Sequence, residues 1–97
     1  MNSSRSFPDL FIYDPRTIKG QHYCCLAIEL KSEGTSVIMK IGPRKGRLSL
    51  DKHIQEQAAM LKSLIAKGYY ANFAVGYDEA IKLIDFYMGK PQTSEMF

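Results

Sequence analysis

Hydrophobic and polar positions alternate in the first third of the chain. The stretch "PDLFIYDP" alternates large apolar side chains and ends at Asp14-Pro15, so it predicts a strand closed by a turn. The stretch "YCCLAIELK" is more continuously apolar, and it predicts a second strand that is buried on both faces. The connection "RTIKGQH" contains Gly20, which suits a hairpin between these two strands.

The middle of the chain changes from a strand pattern to a helical one. "TSVIMKIG" is rich in β-branched residues and predicts a short third strand, which the Gly- and Pro-containing loop "PRKGR" follows. From about Asp51 onwards, apolar residues recur at helical spacing until Gly68, a residue type that commonly ends helices. A helix is therefore expected between these two positions.

The last third of the chain predicts one more strand and one more helix. "YYANFAVG" has the strand pattern, and "YDEAIKLIDFYMGKP" predicts a helix capped by Asp78 and ended by Gly89 and Pro91. The order is strand, strand, short strand, helix, strand, helix. Its strand-helix-strand unit predicts an α/β fold in which helices flank a mixed β-sheet.

Length and composition limit the class of protein. The 97 residues suffice for one hydrophobic core, so we expect a single domain over 1–97, with its core at about 8–88 and a tail at 89–97. Hydrophobic content of 45% and charged content of 24% argue against wholesale disorder and against a membrane protein. The sequence lacks an apolar run of roughly 20 residues and an apolar signal region in "MNSSRSFPDL". We therefore expect a cytosolic protein.

The cysteines and histidines suggest no catalytic or metal cluster. Cys24 and Cys25 are adjacent, which is poor geometry for a mutual disulfide and fits no metal-ligand spacing, so buried reduced thiols are expected. His22 and His53 lack partners at catalytic or metal-ligand spacing, and we expect both to be exposed to solvent.

Positive charge is concentrated in one segment. The formal net charge of +3 is modest, but "IGPRKGRLSLDKH" carries Arg44, Lys45, Arg47 and Lys52 with only Asp51 against them. These four side chains are candidates for contacts with nucleic-acid phosphates. For any one of them, a solvated loop position is an equally good interpretation.

A carboxylate and an ammonium end the second strand. Glu29 and Lys31 project from the same face, about 7 Å apart, because side chains alternate across a strand. If the first strand pairs antiparallel with the second, Asp9 lies near both. Two carboxylates and a lysine suit metal-assisted hydrolysis of a phosphodiester. By spacing alone, a Pro-Asp turn and a solvated Glu-Lys pair are the more common interpretation.

The order of these motifs resembles the VRR-NUC family, a branch of the PD-(D/E)XK nuclease superfamily. The stretches that carry the resemblance are "FPDLFIYDP", "LAIELKSEGT" and "HIQEQAAMLKSLIAKGYYANFAVGYDEAIKLIDFYM", which together cover most of the chain from Pro8 to Met88. The family order is Pro-Asp, a hairpin, Glu-x-Lys, then a helical Gln ahead of an "LxxLxxxG" ending and a strand. The resemblance implies a restriction-endonuclease-like core.

The resemblance also implies residue roles. Asp9 and Glu29 correspond to metal-binding carboxylates, the backbone carbonyl of Leu30 to a further ligand, and Lys31 to the residue that orients water. Gln57 occupies the family's helical Gln position, at the rim of the buried stripe and facing the site. Gln55 is an alternative on sequence alone, although it lies well off that face. The implied cofactor is Mg²⁺ or Mn²⁺.

The implied substrate is DNA, since stand-alone phage-type members of the family are associated with branched DNA such as four-way junctions. The implied location is the cytoplasm of a bacterial or phage-infected cell. Two alternatives stay open: a nuclease acting on linear, flapped or single-stranded DNA, and a nucleic-acid-binding module without catalysis.

One feature departs from the family. Its members usually have a helix and a small residue, commonly Gly, before Pro-Asp, whereas only seven residues precede Pro8 here and Ser6 stands where that Gly would be. We therefore expect the first helix to be absent or supplied otherwise, and a homodimer would compensate for it.

Overall fold

A computed structural model describes residues 7–40 and 42–89 of the chain. Its elements, in chain order, are β1 (Leu10–Ile12), β2 (Arg16–Ile18), β3 (Gln21–Tyr23), β4 (Leu26–Lys31), α1 (Lys52–Ala66), β5 (Tyr70–Val75) and α2 (Tyr77–Met88). Ser6, Pro91 and the predicted tail beyond Gly89 lie outside the described residues.

The main sheet has three strands in the order β1-β4-β5. The central strand, β4, pairs antiparallel with β1 and parallel with β5. Parallel strands require a crossover, and α1 lies within it. The predicted α/β architecture, a mixed sheet with helices packed on it, is confirmed.

Both faces of β4 are buried, as its apolar run predicts. Leu26, Ala27 and Ile28 are 0% exposed. Leu26 and Ile28 point to one face, where they pack with Ala80 and Tyr87 of α2. The intervening side chains point to the opposite face, which α1 covers. The two helices therefore sandwich the sheet.

The connection between β1 and β4 contains a hairpin of its own. β2 and β3 pair antiparallel with each other and form a separate two-stranded sheet. Lys19 and Gly20 both have positive φ, 51° and 83°, as a two-residue hairpin turn requires. Ile18 packs against the apolar cluster under α2. The small hairpin thus extends the core, a role that the sequence pattern does not reveal.

The predicted third strand is wrong. Within "TSVIMKIG", Ile38 forms a single antiparallel bridge to Leu48, and Ile41 lies outside the described residues. The amide of Met39 donates to the carbonyl of Arg47 at 2.8 Å, and the amide of Gly46 donates to the carbonyl of Met39 at 2.8 Å. The segment folds back on the loop that follows it. Its backbone groups find hydrogen-bond partners there, and the segment does not join the main sheet.

The first helix begins and ends where its sequence predicts. The Oδ1 of Asp51 accepts the amides of His53 at 2.8 Å and Ile54 at 3.2 Å, which caps the amino end of α1. Beyond the other end, Gly68 adopts a φ of 98° and the chain leaves the helix.

The cap predicted for the second helix is wrong. The N-cap of α2 is Gly76, with a φ of 87°, and Asp78 lies within the first turn. The carboxylate of Glu79 accepts the amide of Val75 at 2.8 Å and so satisfies a donor at the helix start. Gly89 ends the helix in the left-handed conformation, as expected. Of the helices in the described ranges, neither is long and apolar enough to cross a membrane.

Candidate active site

Asp9 is held at the point where β1 and β4 begin to pair. Leu10 is the register partner of Ile28, and the amide of Asp9 donates to the carbonyl of Ile28 at 3.0 Å. The Oδ2 of Asp9 accepts the amide of Leu30 at 2.9 Å. Pro8 has no amide proton and cannot continue the backbone hydrogen bonds between β1 and β4. At this end of the strand the carboxylate of Asp9 accepts the Leu30 amide instead.

The backbone of Leu30 also faces this point. Cys25 and Lys31 accept hydrogen bonds from the β5 side, from the amides of Tyr70 at 2.9 Å and Gly76 at 2.8 Å. Successive residues of a strand point their backbone groups to opposite neighbours, so Leu30 is directed towards β1. The Leu30 carbonyl therefore lies on the same side of β4 as Asp9.

Glu29 is a buried carboxyl held by the first helix. Its Oε2 accepts the side-chain amide of Gln57 at 2.7 Å, and the exposed fractions of the two residues are 5% and 4%. The commoner interpretation of Glu29 as half of a solvated pair is therefore wrong. Gln57 faces the site as predicted, although it is fully buried among the helix residues that contact the sheet, not at their rim. Gln55 is exposed, and its amide donates to the carbonyl of Ser49 at 3.1 Å.

Burial changes the acidity of Glu29. Desolvation raises the pKa of its carboxyl from 4.5 to about 7, and the negative charge of Asp9 acts in the same direction. The positive charge of Lys31 opposes the shift in pKa. Near neutral pH the Glu29 carboxyl is therefore divided between its protonated and ionised forms.

Two buried oxygen atoms of this cluster lack a partner. The Oε1 atoms of Glu29 and Gln57 form no hydrogen bond among the described residues. Buried polar atoms normally find partners, so these two are available to a ligand. No group of three His, Cys, Asp or Glu side chains suited to a metal ion occurs within 7–40 and 42–89. Two carboxylates and a backbone carbonyl are nevertheless oxygen donors of the kind that Mg²⁺ and Mn²⁺ accept, and they fit such an ion.

Lys31 lies two residues beyond Glu29 on the same strand and is partly exposed. Its charge acts on the pKa of Glu29, so the two groups influence each other electrostatically. Within the described part of the chain, the ion pair that forms joins Arg16 and Asp14, and Lys31 is not paired. Its ammonium group is therefore available to an anionic ligand or to water.

His53 is a residue of the site that sequence reasoning missed. It is exposed, as predicted, but its Nε2 lies 3.4 Å from the Nε2 of Gln57. The two residues are four apart on α1, a spacing that brings helical side chains together. The spacing of four residues from Gln57 is the signal in the sequence that indicates this contact.

The basic segment is divided between structural and exposed residues. Arg44 donates from Nη2 to the carbonyl of Leu48 at 2.9 Å, which folds it onto its own loop. Lys45, Arg47 and Lys52 are exposed. None of the four is hydrogen-bonded to the Asp9 and Glu29 cluster among the described residues.

The two cysteines differ in environment. Cys25 is buried and Cys24 is exposed, so the expectation that both are buried is wrong for Cys24. Both thiols are free, with their Sγ atoms 4.0 Å apart. Burial is the main reason that the pKa of Cys25 rises to about 11, which keeps that thiol protonated.

Comparison with protein-family models, with curated proteins and with solved structures found no match to this chain.

Proposed function

We propose that this protein is a metal-dependent, structure-selective DNA endonuclease that hydrolyses phosphodiester bonds in the manner of a Holliday-junction resolvase. The proposal includes a restriction-endonuclease-like core and a location in the cytoplasm of a bacterial or phage-infected cell. The observation that carries it is the cluster at the end of β4, where Asp9 is bonded to the Leu30 amide and Glu29 to Gln57.

The metal-binding part of the proposal assigns three ligands. Asp9, Glu29 and the Leu30 carbonyl would hold Mg²⁺ or Mn²⁺, and the unpartnered Oε1 of Glu29 supports this assignment. When bound, the ion would supply Lewis-acid activation of water and neutralise charge on the phosphate.

The other residues of the cluster have positioning and electrostatic roles. Gln57 fixes the Glu29 carboxyl through its 2.7 Å hydrogen bond. Lys31, which has no ion-pair partner among the described residues, would orient the attacking water and stabilise negative charge on the phosphate oxygens.

DNA binding is assigned to the basic segment. Lys45, Arg47 and Lys52 are exposed cations that suit phosphate contacts, and Arg44 would stabilise the loop more than it would contact DNA. We further propose a homodimer, because paired nicks in a junction need two active sites.

Cleavage of an end-labelled four-way junction, beside linear duplex of matching sequence, tests the proposal. With Mg²⁺ or Mn²⁺ we expect symmetric nicks confined to the junction, and with chelator none. Asp9→Ala and Glu29→Ala should abolish cleavage and metal binding. Lys31→Ala should slow cleavage while metal binding persists. Glu56→Ala is the matched control, because Glu56 is an exposed carboxylate on α1. Wild-type cleavage by Glu29→Ala would overturn the assignment.

The same assay separates the alternatives. Metal-dependent cleavage of linear, flapped or single-stranded DNA would support the proposed hydrolysis of phosphodiester bonds but would assign it a different DNA substrate. The second candidate function is a nucleic-acid-binding module without catalysis, favoured by the lack of a third acidic side chain at the site within the described ranges. That module would bind DNA equally well with metal and with chelator and would cleave under neither condition.

A further inference from the structure

An open groove lies between β1 and the second half of α1. Its volume is about 590 Å³, within the range of ligand-binding sites. Phe7, Phe11 and Tyr13 line it from the strand side, and Met60 and Lys67 line it from the helix side. Aromatic rings therefore dominate one wall.

The two walls of the groove are built by segments that also carry residues of the candidate active site. On the strand side, Asp9 lies between Phe7 and Phe11 in the sequence, just before β1 begins at Leu10. On the helix side, Met60 follows Gln57 by three residues on α1, and Lys67, the C-cap of that helix, follows Met60 by seven residues. The groove and the cluster therefore share the segments that build them, although the residues that line the groove are not those of the cluster.

The rings in the groove are arranged as a stack. The rings of Phe11 and Tyr13 are 5.8 Å apart between centroids and nearly parallel, at 8°. Tyr69 meets Phe11 edge-on at 6.1 Å and 76°, and so supports it. Tyr13 is 76% exposed, which leaves it open to a further flat ring. Parallel stacking on an exposed ring is the geometry by which proteins hold unpaired bases.

The charge of the groove suits an anionic ligand. Lys67 is the one charged residue among the described residues that line it, so no carboxylate there repels phosphate. The aromatic wall suits a flat ring, and Lys67 suits a phosphate. The nucleotides of a single DNA strand have both groups. The apolar surface of a second copy of the chain would gain nothing from Lys67.

We propose that this groove binds unpaired nucleobases of a single-stranded DNA segment, which stack on Tyr13 while Lys67 contacts the backbone. The inference rests on the proposed nuclease function and deepens it, because it specifies a substrate that has unpaired bases. It also makes a claim about binding that does not require cleavage.

The test is binding of a fluorescent oligothymidylate to the full chain, measured by anisotropy in chelator at low salt. Tyr13→Ala should weaken binding by about 5- to 150-fold, which corresponds to the loss of one stacked base. Tyr13→Phe should bind like the wild type, because it keeps the ring. Tyr77→Ala is the matched control, since Tyr77 is 75% exposed on another element. Thermal unfolding of each variant checks that it is folded.

A second probe isolates the base. An oligonucleotide of the same length with abasic sites should bind wild type and Tyr13→Ala equally. Equal binding of oligothymidylate by Tyr13→Ala and Tyr77→Ala, or no binding by the wild type, would overturn the proposal. So would a shift of Tyr13→Ala from dimer to monomer in sedimentation with unchanged DNA binding, which would assign the groove to a second copy.

Failure of the nuclease proposal gives a different result. If the wild type cleaves no DNA in any metal but its binding still depends on Tyr13, the groove inference stands and the catalytic assignment falls. If cleavage is metal-dependent and binding is insensitive to Tyr13, the reverse holds.

Discussion

The two faces of the central sheet are both buried, yet they are built differently. On one face Leu26 and Ile28 are fully buried and pack with Ala80 and Tyr87 of α2. On the other face Glu29 is almost as buried, but it contacts the amide of Gln57 and keeps one oxygen without a partner. Burial by itself therefore does not distinguish the core from the candidate site. The two faces differ because the face with Glu29 contains buried polar atoms that have no hydrogen-bond partner.

Such atoms reduce the stability of a folded protein. A buried acceptor without a donor costs free energy that an apolar side chain of the same size would not. A face optimised only for packing would have an apolar residue in place of Glu29. The presence of Glu29 is consistent with the function proposed for that face. The four predictions below concern this contrast, from the largest expected effect to the smallest.

The largest effect is expected on the apolar face. Ile28→Ala should lower the free energy of unfolding by about 2–5 kcal/mol, because it opens a cavity at a fully enclosed position. Ile28→Val should cost only about 0.5–1.5 kcal/mol. Urea unfolding measures both. Leu30→Ala is the control, since Leu30 is partly exposed on the same strand. Equal losses for Ile28→Ala and Leu30→Ala would contradict the assignment of this face as the core.

A smaller loss is expected when the polar face loses its donor. At pH 8, Gln57→Leu should destabilise the protein by about 1–3 kcal/mol, because it leaves the Oε2 of Glu29 buried without a hydrogen bond. Gln55→Leu changes the same chemical group at an exposed position and should have little effect. Urea unfolding measures the stability of both variants. Equal stability would show that the hydrogen bond from Gln57 does not offset the cost of burying the Glu29 carboxylate.

The pH dependence of stability should follow Glu29. Its pKa is raised from 4.5 to about 7 by folding, so its contribution to stability is greatest below pH 4.5 and is lost as the pH rises through about 7. In metal-free buffer, Glu29→Gln should gain stability relative to wild type over this range. The expected gain is on the order of 1–2 kcal/mol, after allowance for solvent screening. Glu56→Gln is the control, and parallel curves for wild type and Glu29→Gln would contradict the assignment of a raised pKa.

The smallest effect concerns a polar contact at the border of the apolar face. The hydroxyl of Tyr87 donates to the carbonyl of Asp14 at 2.8 Å, while its ring is fully buried. Tyr87→Phe should cost about 0.5–1.5 kcal/mol, because the ring packing is kept and one hydrogen bond is lost. Tyr77→Phe removes an exposed hydroxyl and should leave the thermal midpoint unchanged. A larger shift of the thermal midpoint for Tyr77→Phe than for Tyr87→Phe would contradict a stabilising role for the hydrogen bond between Tyr87 and Asp14.

Much of the local structure was predictable, and the two failures have different causes. The apolar run of β4, the helix start near Asp51 and the helix end at Gly68 are local signals, and the structure has each of them. The third strand failed because a β-branched stretch does not specify which segment it pairs with. The cap at Asp78 failed because Gly76 turns the chain before that residue can act as a cap.

Within the candidate site, the spacing of residues along the chain is enough to predict two features. One is the alternation that puts Asp9 and Glu29 among apolar neighbours, and the other is the helical period that puts Gln57 on the side of Ile54 and Leu61. The tertiary structure brings the Leu30 amide to Asp9, which is 21 residues away in the chain, and brings Gln57 to Glu29, which is 28 residues away. It also decided that Glu29 is buried and that Phe11 and Tyr13 stack. Periodicity along a chain fixes which face a side chain occupies, but strand register and helix docking fix which side chains meet.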